Sequence, residues 1–527
     1  MKIIFLVVAL TINLLSESFT SIEKNTNDNM SRKNSYVTSK YYYKEEYKKA
    51  FEYAQKTFTD LTEEIHRNEG GKTLLLLIED YAVGRKKILK NNASSLNDIS
   101  VILSTYYAYK NALATPEKES IKVMQIALTQ WLQYKGYIFE VEENFKTLDK
   151  SQVYYQDISK HLTKNQLYVD IVSGSQNFYL FTLDRNNHIT FQKISHNETV
   201  GVHYFIKKFG TINKKLVQAI SNKTITLQLE EKLKKESQEI LSELYTILIK
   251  PLSKKLKNKK SLIISPDGLL NFLPFEAIYH NGKYLIEDYD ISYISSGREF
   301  IRQTHREKAH PKYKMICFGD PDFNTTTIAS TKRIKGMFGN QVIQQHFEKI
   351  GKDEINTIRS IYGDNARIFE DKEASIENLM RVESSEILHF STHGMKTGLA
   401  FAGVNNRENL NGIVTPLKVS ELNLKDTNLV VLSACESGLG EIQNSEGVIG
   451  LPKAFLQAGA REVIMSLWSV STQKTAELME KFYKNVQNGD EYATALRRAK
   501  IKMLKKHPYY WSAFVMHGVP NLTQGKK

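Results

Sequence analysis

Between residues 39 and 147 the apolar positions recur at helical spacing. Tyr47, Ala50, Phe51, Ala54 and Phe58 fall at three- and four-residue steps, and Leu75, Ile78 and Ala82 do so further on. Gly70-Gly71 and Asn91-Asn92 interrupt the pattern and mark breaks between helices. From about residue 150 the rhythm changes. Leu167-Tyr-Val-Asp-Ile-Val172 and Phe178-Tyr-Leu-Phe-Thr-Leu183 are strand-like runs joined by a turn at Ser173-Gly174-Ser175, with a third strand over 189–194. Helices are predicted over 199–220 and 227–250. Strands follow near 261–265, 314–318, 386–391, 428–433 and 462–467, spaced by helical stretches at 352–362, 376–382 and 451–457. Alternation of this kind predicts an α/β fold with a mainly parallel sheet flanked by helices, preceded by an α-helical region.

The amino-terminal end reads differently. Lys2 precedes a largely apolar stretch from Ile3 to Leu15, broken by Thr11 and Asn13 and followed by Ser16, Ser18 and Ser21. Residues 1–20 are expected to be a removable signal peptide, which places the mature protein outside the cytoplasm or secreted. An uncleaved anchor or a fraying helix is the alternative, the latter leaving a cytoplasmic protein. The run is short for a transmembrane span, and no other stretch is long and apolar enough for one. Residues 21–38 are polar and rich in Asn and Ser, and are expected to form a linker.

Composition narrows the function without naming it. At 527 residues the chain is long for a single core, which suits a helical region over 39–147 and an α/β region over 150–520. The net charge of +14 is dispersed. Its densest cluster (Lys254, Lys255, Lys257, Lys259 and Lys260) has no aromatic or Gly-rich partner and reads as a solvated turn, so no nucleic-acid partner is expected. Cys317 and Cys435 do not make a disulfide framework. Cys317 sits in the middle of a predicted strand and reads as a small buried hydrophobe.

Cys435 stands apart. It ends the apolar run Leu429-Val-Val-Leu432 within Leu-Ser-Ala-Cys-Glu-Ser-Gly, and flexible, polar residues follow it. Forty-two positions earlier, a matching run from Ile387 ends in Ser391-Thr-His393-Gly394. Two buried-type strands thus each deliver one reactive-type side chain at the carboxyl end, where open α/β sheets place their ligands. A thiol and an imidazole are the minimum equipment of a cysteine hydrolase, because a thiolate can attack a carbonyl and an imidazole can take and return a proton near neutral pH. His389 lies four residues before His393. No Cys or carboxylate stands near it at metal-ligand spacing, so no metal site is expected. Gly447, Gly450 and Gly459 read as turn and packing positions, since the Lys-Ser/Thr signature of a phosphate loop is absent and no cofactor is implied.

Several blocks in order make the resemblance specific. They are Ile264-Ser-Pro-Asp-Gly-Leu-Leu-Asn-Phe-Leu-Pro-Phe-Glu-Ala277, Cys317-Phe-Gly-Asp-Pro-Asp-Phe323, His389-Phe-Ser-Thr-His-Gly394 and Leu432-Ser-Ala-Cys-Glu-Ser-Gly438, then Glu446-Gly-Val-Ile-Gly-Leu-Pro-Lys-Ala-Phe455, Ala458-Gly-Ala460, Ser466-Leu-Trp468 and Trp511-Ser-Ala-Phe514. Residues 150–520 resemble a CHAT domain, a caspase-like family associated with tetratricopeptide repeats and related to separases, caspases and gingipains. The resemblance implies Cys435 as nucleophile, His393 as acid–base partner, and the backbone N–H groups of Gly394 and Cys435 as oxyanion hole, with no third orienting residue nominated. The first helix, with Ala50 and Ala54, resembles half of a tetratricopeptide repeat. No repeat at a fixed period emerges, and an ordinary helical bundle is the alternative.

The chain departs from the family at one position that bears on specificity. Many relatives carry an acid four residues after the tryptophan of the Leu-Trp motif, and in separases it helps bind a basic residue before the scissile bond. Here that position is Thr472. A hydroxyl cannot replace a charge-assisted contact, so a neutral residue before the cut is expected unless another acid reaches the pocket. Glu436 is the nearest candidate in sequence, and a solvated loop carboxylate is its simpler role. The resulting expectation is a cysteine endopeptidase acting on protein substrates, with a helical region that recognises a protein partner or restrains the site. The alternative is a catalytically silent caspase-like interaction module, which an electrophilic peptide probe would fail to label at Cys435.

Overall fold

The computed structural model describes residues 30–69, 92–136, 152–306, 309–325, 347–395, 398–405, 412–434, 441–443 and 447–520. The expected leader lies outside the described residues, as do Leu75, Ile78 and Ala82 of the helical pattern, Cys435 and Glu436. No described helix is long and apolar enough to cross a membrane.

Four helices form the described amino-terminal region: α1 (Met30–Tyr43), α2 (Tyr47–Glu69), α3 (Asn92–Ala112) and α4 (Pro116–Tyr134). The breaks expected at Gly70-Gly71 and Asn91 lie outside the described residues, and Asn92 opens α3. Residues 30–38, read from composition as part of a linker, are instead helical. The hydroxyls of Thr38 and Ser39 donate to the carbonyls of Asn34 and Ser35 one turn back, so polar side chains are satisfied along their own helix. Tyr41 then stacks on Tyr53 of α2 at 5.6 Å. A polar segment can therefore be ordered when its partners are close, which composition alone does not reveal.

The core of the molecule is one eleven-stranded sheet. Its strands are β1 (Gln166–Ser173), β2 (Phe178–Leu183), β3 (Ile189–Ile194), β4 (Ser261–Ser265), β5 (Asp290–Tyr293), β6 (Tyr313–Pro321), β7 (Ala366–Asp371), β8 (Ser385–Thr392), β9 (Leu429–Ala434), β10 (Glu462–Ser466) and β11 (Phe514–His517). Their spatial order is β3-β2-β1-β4-β5-β11-β10-β9-β8-β6-β7. Pairing is antiparallel at β1–β2, β2–β3 and β10–β11, and parallel at the other contacts. The fold is thus the mainly parallel, helix-flanked sheet that the strand–helix alternation predicts.

Alternation along the strands builds two cores. Leu167, Val169 and Ile171 of β1 face one hydrophobic cluster, while Tyr168 and Val172 face the other. The first core lies under the helices α5 (His196–Ser221) and α6 (Leu227–Leu244). The second receives Phe58, Tyr106, Leu128 and Trp131 of the amino-terminal helices against Tyr179, Phe181 and Phe191 of the sheet. At this second face Lys135, fully buried just beyond α4, places Nζ 2.8 Å from Asp170 of β1 and 2.8 Å from Ser265 Oγ of β4. Trp131 Nε1 also donates to Asp170 at 3.0 Å. The helices are keyed to the sheet by a buried, hydrogen-bonded charge pair.

Candidate active site

β8 and β9 run parallel, in register from Ile387 opposite Leu429 to Thr392 opposite Ala434. Both are interior strands buried from Ile387 to Thr392 and from Leu429 to Ala434, which is why the sequence shows apolar stretches there. Thr392 and Ala434 are the last residues of their strands. The next residues in sequence are His393 and Cys435.

His393 is half-buried at the end of β8. Its Nε2 lies 2.8 Å from the main-chain oxygen of Glu348. A carbonyl only accepts, so Nε2 carries the proton and Nδ1 of the neutral ring is left as the basic nitrogen. The ring packs against Phe347 and Phe323, with centroids 5.2 and 5.4 Å away. The carbonyl of His393 accepts from Ala400 N at 2.9 Å, and Gly394 opens a short strand opposite Leu399.

Gly351 makes this approach of the 347–351 segment workable. It has φ +107°, and a Cβ there would stand 2.6 Å from both the carbonyl oxygen and the hydroxyl of Ser391. Only glycine lets the chain cross the end of β8 so closely and then turn into helix α8 (Lys352–Tyr362).

Below this level lies a polar cluster. His389 is fully buried, with Nδ1 2.7 Å from Tyr483 Oη and Nε2 3.2 Å from Glu354 Oε2. The second contact is near enough for an ion pair if the ring is charged, but it lacks hydrogen-bond alignment, and neither Nε2 nor Oε2 has a hydrogen-bond partner. Glu354 Oε1 accepts from Ser391 Oγ at 3.1 Å. Cys317 stands beside His389 in the register of β6, and burial pushes its thiol pKa well up, keeping it protonated and unreactive. Among the described residues no group of three or more His, Cys, Asp and Glu could hold a metal ion.

A small cavity of about 20 Å³ sits at the carboxyl ends of β8, β9 and β10. Thr392, Ala434 and Ser466 line it from the strand ends, Glu354 from α8, and Thr472 and Thr475 from helix α10 (Thr472–Gln487). Thr472 is exposed and Thr475, one turn further on, is buried. The structure thus brings Thr472 to the same end of the sheet as His393. A larger cavity of about 580 Å³ opens at the opposite, amino ends of the strands, beside Glu386, Asn428 and Glu462. Among the described residues no Cys, His or Ser lines it, and parallel sheets place their chemistry at the other end, so the smaller cavity is the relevant one.

Sequence reasoning missed Glu348, Phe347, Phe323 and Glu354. A main-chain carbonyl leaves no mark on residue type, so Glu348 was not legible. Glu354 did leave one. It lies four residues before Ile358, on the apolar stripe of α8, and a carboxylate in such a stripe marks a buried polar site.

The CHAT domain family model matches residues 238–519, which takes in α8, β8, β9 and α10. Tetratricopeptide repeat protein 28 of Homo sapiens is 34% identical over 110 residues, covering 20% of this chain and 4% of that protein. Its Mus musculus counterpart is 31% identical over 110 residues, with the same coverage. The chain therefore spans only a small fraction of the curated relatives it matches. Among solved structures, the Saccharomyces cerevisiae separase–securin complex aligns with a TM-score of 0.50 over 89% of this chain and 37% of that one, at 11% identity, a likeness of fold. A family match over more than half of its length, on a helix-flanked sheet similar in fold to the separase–securin complex, makes this chain a member of the CHAT domain family.

Proposed function

We propose that this protein is a cysteine endopeptidase that cuts protein substrates with His393 and Cys435 as its dyad. The observation that carries the reading is the register of Thr392 with Ala434, the residues that precede the histidine and the cysteine in sequence. The Glu348 carbonyl supports it by fixing the imidazole in one tautomer with Nδ1 as the base.

In this mechanism Nδ1 of His393 takes the thiol proton of Cys435. The thiolate attacks the scissile carbonyl carbon, and the resulting oxyanion is held by the backbone N–H groups of Gly394 and Cys435. The imidazolium then gives its proton to the departing amine as the C–N bond breaks, leaving a thioester. Water, deprotonated by the same nitrogen, attacks the thioester and restores the thiol. The Glu348 carbonyl accepts from Nε2–H throughout and strengthens that bond when the ring is charged, a positioning role that needs no acidic side chain. The aromatic walls Phe323 and Phe347 limit the ring's rotation. The helical region fits a role in recognising a protein partner or restraining the site, and the first twenty residues fit a leader that takes the protein out of the cytoplasm.

The test is amino-terminal proteomics on lysate or culture-medium proteins incubated with wild-type protein and with Cys435→Ala. New amino termini present only with wild type are the expected result. Identical termini in both samples overturn the peptidase reading.

A further inference from the structure

Glu354 sits in the first turn of α8 and is 4% exposed, and a carboxyl buried among Ile355 and Ile358 persists only because of what it contacts. Both of its side-chain contacts are on β8. Oε1 accepts from Ser391 Oγ at 3.1 Å, and Oε2 lies 3.2 Å from His389 Nε2. His389 and Ser391 are two residues apart and so project from one face of the strand, and the same step of two leads on to His393. The chain that enters α8 follows this line. Glu354 stands at His389 and Ser391, Gly351 passes against Ser391, and the carbonyl of Glu348 meets Nε2 of His393 at 2.8 Å. The contacts at 354, 351 and 348 thus step along β8 toward its carboxyl end.

We infer that Glu354 is a positioning residue of the site: it fixes where the first turn of α8 sits along β8, and through the short segment back to Glu348 it sets the carbonyl that holds His393. The inference rests on the peptidase reading of His393. Ile355 and Ile358, both fully buried, hold the helix against the sheet, but apolar contact is non-directional and leaves its position along the strand loosely set. The hydrogen bond from Ser391 is directional and sets it. Glu354 acts only through the Glu348 carbonyl. When that carbonyl moves away, the neutral imidazole has no acceptor at Nε2 to select one tautomer, and its proton is shared between both ring nitrogens. The fraction of rings with Nδ1 free as base then falls, and so does turnover.

Ring-nitrogen NMR of full-length protein carrying ¹⁵N-labelled histidine reads the tautomer directly near neutral pH, with the His393 signals assigned by their loss in His393→Gln. kcat and KM for a cleavable peptide are measured on the same samples. Wild type is expected to show the Nε2–H tautomer alone. Glu354→Leu offers no acceptor and should show both tautomers, with kcat lower by about 100-fold and KM changed by less than about threefold. Glu354→Gln still accepts from Ser391 through its amide oxygen, so it should keep the wild-type tautomer and a kcat within about threefold of wild type. Ser391→Ala removes the donor with little change of volume and should shift the tautomer as Glu354→Leu does, which keeps the test open if the leucine variant fails to fold. A single Nε2–H tautomer retained in Ser391→Ala or in folded Glu354→Leu, or a loss in Glu354→Gln as large as in Glu354→Leu, overturns the positioning role while the peptidase reading stands. Tautomers that shift as expected in a protein whose wild type cuts no peptide overturn the peptidase reading and leave the positioning of His393 intact.

Discussion

The main-chain oxygen of Glu348 lies 2.8 Å from Nε2 of His393, and the chain that carries it reaches this point only because Gly351 can pass against Ser391. Gly351→Ala puts a Cβ into a carbonyl at a left-handed φ, a strain of about 1–3 kcal/mol. Relief of that strain moves the Glu348 carbonyl away from the imidazole. A displacement near 1 Å is expected to cost about 100-fold in kcat with a much smaller change in KM. Peptide turnover and thermal unfolding of the same variant check this. A stable variant with unchanged kcat would show that the carbonyl does not position the ring.

Cys435→Ala and His393→Ala are each expected to abolish peptide cleavage. The double variant should be little worse than either, because groups that act as one unit are not additive. Single-turnover kinetics on a cleavable peptide read this directly. Appreciable cleavage by Cys435→Ala would remove the nucleophile from the mechanism.

Much of this site can be read from the chain because its strands are buried on both faces. An unbroken apolar run such as Leu429–Leu432 can only be a core strand once its length and flanking residues are considered, and its carboxyl end is where function collects. The centre of the sheet was harder. β11 occupies only Phe514–His517 and inserts antiparallel beside β10, a placement that depends on tertiary pairing rather than on local pattern. The same holds for the site. His393 is marked by its place at a strand end, whereas the carbonyl that orients it belongs to a residue 45 positions away with no special side-chain chemistry. Polar α1 illustrates the converse, a segment whose composition suggests a linker but whose hydroxyls close on their own helix.

The helical region should be inseparable from the sheet in unfolding. Lys135 and Asp170 are both fully buried, and Lys135 also donates to the carbonyls of Ile171 and Ser265 at 3.1 Å. Lys135→Met removes the cation and leaves Asp170 buried with only Trp131 and Tyr168 as donors. Breaking one side of such a pair is expected to cost about 3 kcal/mol, and Lys135→Met with Asp170→Asn should recover part of it. Urea unfolding of the three proteins measures both. A loss below about 1 kcal/mol in the single variant would mean that apolar packing alone holds the helices to the sheet.

Acid should weaken the fold through His507. This ring is fully buried, its Nδ1 accepts from the backbone N–H of Tyr509, and its Nε2 lies 3.2 Å from Ser237 Oγ on α6. Burial pushes its pKa down from 6.5 to about 4, because charging the ring would place a cation in the core, and protonating Nδ1 would also break the cap. The folded pKa lies below the unfolded one, so the unfolded chain binds the extra proton first as pH falls. The stability that the neutral ring contributes is complete above pH 6.5, declines through the interval to about pH 4, and changes no further below it. The full span is worth about 3 kcal/mol. His507→Asn keeps a side-chain acceptor for the Tyr509 N–H but cannot titrate. The variant should be less stable than wild type at pH 7, and the gap should narrow steadily toward pH 4 in urea titrations. A gap that stays constant across this range would show that His507 is not the group whose protonation destabilises the fold.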